Sequence, residues 1–198
     1  MANKISRVKT PRANLLRGVI LLCRGKAAGF SEIGAGPQDF LSSLAPMIAF
    51  PLVGTVLMLS SGRWREAATD FMAALCAVLA PPVLSYVLAR RWGREEQWFR
   101  FATAFNWCQW VLPLLVSLLV LTSGVMVQGG LSPKASIGLL ACILLAYAFW
   151  LHWFLARHGL DLSKGRAALL VFMVNLGTII LVAGPQLVQL YLFGSHAA

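Results

Sequence analysis

EEQWFRFATAFNWCQWVLPLL, Glu95 to Leu115, is the stretch that decides the fold. It opens on two carboxylates, passes through a belt of aromatics and enters an apolar run that continues to Leu121. Thr103, Asn106 and Gln109 are spaced three apart, so on a helix they lie along one face. The segment from about Trp98 to Leu121 reads as a membrane-spanning helix with one polar stripe. At 1.5 Å per residue, about 20 residues cross a hydrocarbon core of ~30 Å.

The composition agrees. Of 198 residues, 59% are hydrophobic and 12% are charged, with a mean hydropathy of +0.74. A soluble domain carries about 25% charge, because water must solvate its surface. Lipid removes that need, so the chain belongs in a membrane.

Working outward, four more segments have the length and apolar content to span. Span 1 covers about Phe40 to Ser60 and holds Pro46 and Pro51; span 2 covers about Ala67 to Leu88 and holds Pro81-Pro82. Spans 4 and 5 cover about Ala135 to Ala156 and Ala167 to Leu190. Proline removes a backbone donor, so kinks are expected in spans 1 and 2, with a bend or break at Pro81-Pro82. Gly184-Pro185 predicts a kink or an early exit near the end of span 5. The fold class is all-α: a polytopic membrane protein of five transmembrane helices. Residues 40–192 form the transmembrane domain and 193–198 a short tail.

Residues 1–39 contain no spanning run. They form a basic segment in which a short helix, Leu15 to Arg24, is amphipathic. Leu15, Leu16, Val19, Leu22 and Cys23 fall in one sector, with Arg17 and Arg24 opposite, as suits either the headgroup plane or packing on the cytoplasmic ends of the spans. The basic start resembles a signal peptide, but no convincing small-residue cleavage site follows, and processing is not expected.

The net charge is +10. Fourteen of the 17 Lys and Arg residues fall in the N-terminal segment, the second loop with Arg100, and the fourth loop; the first and third loops hold three. Positive charge marks the cytoplasmic side. The expected topology is multi-pass in a bacterial inner membrane, N-terminus cytoplasmic and C-terminus periplasmic. Arg17, Arg24, Arg90, Arg91, Arg94 and Arg157 are candidate contacts for anionic lipid headgroups. A nucleic-acid partner is not expected, since no motif accompanies the charge.

Catalytic patterns are missing from the sequence: it has no P-loop, GxGxxG, HExxH or Ser/His/Asp arrangement. Glu95 and Glu96 sit between Arg94 and Arg100 and read as a salt-bridge cluster. The spans hold no ionisable carboxylate or cation deep inside, which argues against proton-coupled transport and intramembrane hydrolysis. Cys23, Cys76, Cys108 and Cys142 form no CxxC pattern, so neither a disulfide nor a metal site is expected. His152 has no second intramembrane histidine to share a haem, and it reads as an interfacial polar tip beside Trp150 and Trp153. No cofactor, catalytic residue or metal ligand is assigned. The stripe Thr103, Asn106 and Gln109 reads as an interhelical clamp, with Asn175 the expected partner by depth.

Three pieces carry a resemblance. One is Phe40-Leu41-Ser42-Ser43-Leu44 after the basic segment. The second is Leu88-Ala89-Arg90-Arg91-Trp92-Gly93-Arg94-Glu95-Glu96, followed by Phe99-Arg100-Phe101 and Ala104-Phe105-Asn106-Trp107. The third is Phe149-Trp150-Leu151-His152-Trp153-Phe154. In these the chain resembles bacterial Yip1-domain membrane proteins of unknown function. The resemblance implies a compact five-helix domain without established catalysis. The Tyr-Gly-Pro-type motif of eukaryotic members is missing, so binding to small GTPases is not implied.

Two functions follow as expectations. The first is a non-catalytic accessory or organising subunit that contacts other membrane proteins, copies of itself or lipid. The alternative is a small oligomeric transporter or permease, with the stripe on span 3 lining a path between proline-broken helices. The topology is directly testable. Alkaline phosphatase, active only outside the cytoplasm, should be active when fused after Ala198 and inactive when fused after Arg94. The reverse pattern overturns the orientation.

Overall fold

The chain is all-α, with five helices long and apolar enough to cross a membrane. The computed structural model describes residues 14–193, with side chains to residue 184. Lys4, Arg7, Lys9, Arg12 and residues 194–198 of the tail lie outside the described residues.

Helix α1, Leu15–Cys23, begins where the Asn14 side-chain oxygen accepts from the Arg17 backbone N–H at 3.3 Å. The expected amphipathic helix is therefore present, but its apolar residues divide. Leu22 is buried in the core and Gly18 beneath the turn that follows, Leu15, Val19 and Cys23 are half-buried, and Leu16 and Ile20 point outward. The chain turns at Gly25, whose φ of +74° suits glycine, into a 3-10 turn over Ala27–Glu32. That turn lies flat on α1: a Cβ on Gly29 would come within 2.5 Å of the Gly18 carbonyl oxygen.

Helices α2 (Pro37–Ser60) and α3 (Trp64–Arg91) form the first hairpin of spans. Both run through their internal prolines without a break in the helix, including at Pro81-Pro82. The third span is where the chain does break. It consists of α4 (Glu95–Gln109) and α5 (Val111–Gln128), separated at Trp110. Pro113 explains this: it has no N–H to offer the Gln109 carbonyl four residues back, and its ring crowds that position. Helices α6 (Pro133–Gly159) and α7 (Lys164–Phe193) complete the bundle, α6 capped by the Ser132 hydroxyl, which accepts from Ala135 N–H at 3.3 Å. Helix α7 stays helical past Gly184, so an early exit at Gly184-Pro185 does not occur.

The core is not centred. It gathers at the end of the bundle that carries Trp92 to Arg94, where Leu22, Phe30, Phe101, Leu151, Leu155 and Leu160 are buried together. At the opposite end, α5 buries no residue. It packs chiefly on α6 and on α4.

Trp98 fastens the well-packed end. The sequence suggests an interfacial anchor that sets the depth of span 3 along with Arg94 and Arg100. Instead Trp98 is 7% exposed, and its ring lies 5.1 Å from Phe40 and 5.0 Å from Tyr86, centroid to centroid. Its indole N–H donates to Ser85 Oγ at 3.1 Å, and the Ser85 hydroxyl donates to the Pro82 carbonyl at 3.0 Å. An indole buried among α2 and α3 needs such an acceptor. In denaturant-titrated mixed micelles, Trp98→Ala should lower the unfolding free energy by about 3–5 kcal/mol. Ser85→Ala should lower it by about 0.6–2 kcal/mol, because it removes only the polar partner.

Candidate intramembrane polar site

The stripe on α4 does not act as one unit. At 100° per residue, a step of three falls 60° short of a full turn, so three such residues fan over about 120°. Each therefore meets a different neighbour. The Thr103 hydroxyl donates to the Phe99 carbonyl of its own helix at 2.8 Å. Asn106 faces α2, where its Nδ2 donates to Ser43 Oγ at 2.9 Å; the Ser43 hydroxyl donates to the Phe40 carbonyl at 2.7 Å. Asn106 and Ser43 are 1% and 0% exposed, so this is a closed clamp.

Asn175 is not the partner of Asn106. Its Nδ2 donates to the Val171 carbonyl of its own helix at 2.7 Å. Matching depth along two helices does not make two side chains face each other, and α4 turns the Asn106 side toward α2 rather than α7.

Gln109 does find a partner, on α6. Its Nε2 lies 3.2 Å from His152 Nε2. With the amide nitrogen as donor, His152 Nε2 accepts and the ring N–H is on Nδ1. The imidazole packs against Phe105, centroids 4.7 Å apart. His152 is thus an inward-facing group and not an interfacial tip; one turn of α6 between two tryptophans points it to the bundle while Trp150 points away.

Gln109, His152 and Asn175 share a cavity of about 190 Å³ with Phe105, Ser85 and Thr178. Its wall on α3 includes Pro81 and Pro82. The structure therefore brings Gln109 and Asn175 to one space and leaves Thr103 and Asn106 outside it. Ser43, Ser85 and Thr178 were not legible as site residues. A serine or threonine in a span commonly bonds back to its own helix, as Thr178 does to the Val174 carbonyl at 2.7 Å. Its role depends on which helix lies opposite.

The six arginines proposed to meet lipid cluster at the well-packed end but differ in freedom. Arg90 pairs with Glu95 at 3.3 Å, Arg94 with Asp161 at 3.4 Å, and Arg17 with Glu32 at 3.9 Å. Arg157 lies over the Trp153 ring at 5.3 Å. Arg24 and Arg91 are exposed, with no ion pair among the described residues. The same end holds α1 in place: Tyr147 donates its hydroxyl to the Cys23 carbonyl at 2.9 Å. A hydrogen bond from the Cys108 thiol keeps the Cys23 thiol below its ordinary range, against the opposing effect of burial. Among the described residues, no three His, Cys, Asp or Glu side chains gather as a metal site.

No protein-family model, characterised protein or solved structure matches this chain.

The clamp has a measurable coupling. Asn106→Leu should lower the thermal midpoint in detergent. In a double-mutant cycle with Ser43→Ala, the two side chains should couple by about 0.6–2 kcal/mol, and additive losses would show that the bond contributes nothing.

Proposed function

We propose that this chain is a non-catalytic organising subunit of a bacterial inner membrane, acting through lateral contacts with other membrane proteins or its own copies. One observation carries the reading: the far half of the bundle has an uncovered surface of the kind membrane helices use to associate. Helix α5 buries nothing, and Gly124 on α5 and Gly138 on α6 have no atom within 4 Å of where a Cβ would stand. Between these helices runs a groove of about 170 Å³ lined by Val120, Ser123, Ile137 and Ala141 among others. Apolar contact alone gains little over lipid, whereas small residues let a second backbone approach closely.

The charge distribution supports a cytoplasmic placement of the well-packed end, with Arg24 and Arg91 free to meet anionic headgroups. The pattern shared with bacterial Yip1-domain proteins supports the same kind of role, and we extend that kinship to this chain as part of the proposal. A second reading, a small permease, is favoured by the polar cavity beside the interruption that ends α4 at Gln109, since transporter sites form at irregular helices near the midplane. It would place Gln109 and Asn175 on the path.

Blue-native electrophoresis after extraction in mild detergent tests the organising role. The chain should migrate as an oligomer or with a partner, and Gly124→Leu or Gly138→Leu should shift it to the monomer with the thermal midpoint unchanged. A wild-type monomer with nothing co-purifying would sink the proposal.

A further inference from the structure

We infer that the cavity between α3, α4, α6 and α7 is a binding site for an uncharged lipid with a hydroxyl headgroup, of the diacylglycerol kind. This site is separate from the α5–α6 surface and stands or falls independently of the organising role.

Three properties of the cavity select that class. The first is charge. Its lining includes no Asp, Glu, Lys or Arg. A phosphate brought there would be an unpaired ion in a low-dielectric site, which is strongly unfavourable. A neutral headgroup meets no such penalty.

The second is the set of hydrogen-bonding groups, which suits a ligand carrying both a hydroxyl and ester carbonyls. Gln109 spends an amide N–H on His152, and Asn175 spends one on the Val171 carbonyl. Neither amide oxygen accepts a hydrogen bond from the described residues, and neither is among the fully enclosed unpartnered atoms. Each oxygen therefore keeps some accessible surface, on a side chain that lines the cavity. Thr178 adds a third acceptor, because its proton is already given to the Val174 carbonyl. A ligand hydroxyl donates to these oxygens, which an ether cannot do, and ester carbonyls accept from the second N–H of each amide and from His152 Nδ1–H.

The third is size. An engineered protein cavity of about 150 Å³ admits benzene. The 190 Å³ here takes a glycerol headgroup and the first carbons of its chains. Phe101, Phe105, Leu170 and Val174 supply apolar wall for those carbons.

Native mass spectrometry of the full-length chain released from detergent micelles tests the assignment, with 1,2-dioctanoylglycerol as probe and its 3-O-methyl ether as control. The wild type should retain one equivalent of the glycerol, and the methyl ether should bind at least tenfold more weakly. Asn175→Leu and the near-isosteric Thr178→Val should each weaken binding at least fivefold, with the thermal midpoint reporting that both variants remain folded. Equal retention of the methyl ether would overturn the donor argument. Unchanged binding by both variants would overturn the site. Retention of phosphatidylglycerol in preference to the neutral probe, or no bound probe at all, as for a cavity filled with water, would overturn the ligand class.

Discussion

A buried indole hydrogen bond holds this bundle in register. Between helices in lipid, apolar contact offers no advantage over contact with acyl chains, so a polar group that must find a partner does much of the specifying. Trp98 has one donor and one acceptor within reach, Ser85 on α3. The same ring lies against Phe40 on α2. Three spans are therefore indexed by one side chain, and the Asn106–Ser43 bond, two turns along α4, repeats the α2 contact at greater depth. Two fixed points on a pair of helices determine both their rotation and their offset. With α2, α3 and α4 so placed, the cavity wall formed by Ser85, Phe105 and Gln109 follows.

Much of the architecture was legible in the sequence because lipid imposes a simple rule. A run of about 20 apolar residues must be helical to satisfy its backbone. The five spans, the basic end and the amphipathic α1 all follow from length, hydropathy and charge. Side-chain partners did not follow, and the reason is geometric. A stripe with a three-residue period drifts around its helix, so Thr103, Asn106 and Gln109 reach one intrahelical and two interhelical partners. Depth suggested Asn175 for Asn106, but rotation decided for Ser43. His152 and Trp98 share a related ambiguity. An amphipathic ring suits an interface and also suits a buried site with one polar neighbour. Composition cannot separate those cases; knowing which helix lies opposite does.

Prolines show a similar divide between local rule and context. Pro46, Pro51, Pro81 and Pro82 all lie inside continuous helices, whereas Pro113 follows a break. Each removes the same donor. Pro113 differs in coming three residues after Trp110, whose ring packs against Phe50 of α2 with centroids 5.0 Å apart. That contact favours a turn at Trp110 over a continued helix.

The break at Trp110 gives the molecule two mechanical halves. An unbroken rod through the bilayer would transmit any tilt or twist at one leaflet directly to the other. Here the helical hydrogen bonding is interrupted at Trp110, so a change of angle between α4 and α5 costs less at that point than it would in an unbroken rod. The α5 side of the joint can change its angle, while Trp98 and Asn106 keep the packed side in register through their buried hydrogen bonds.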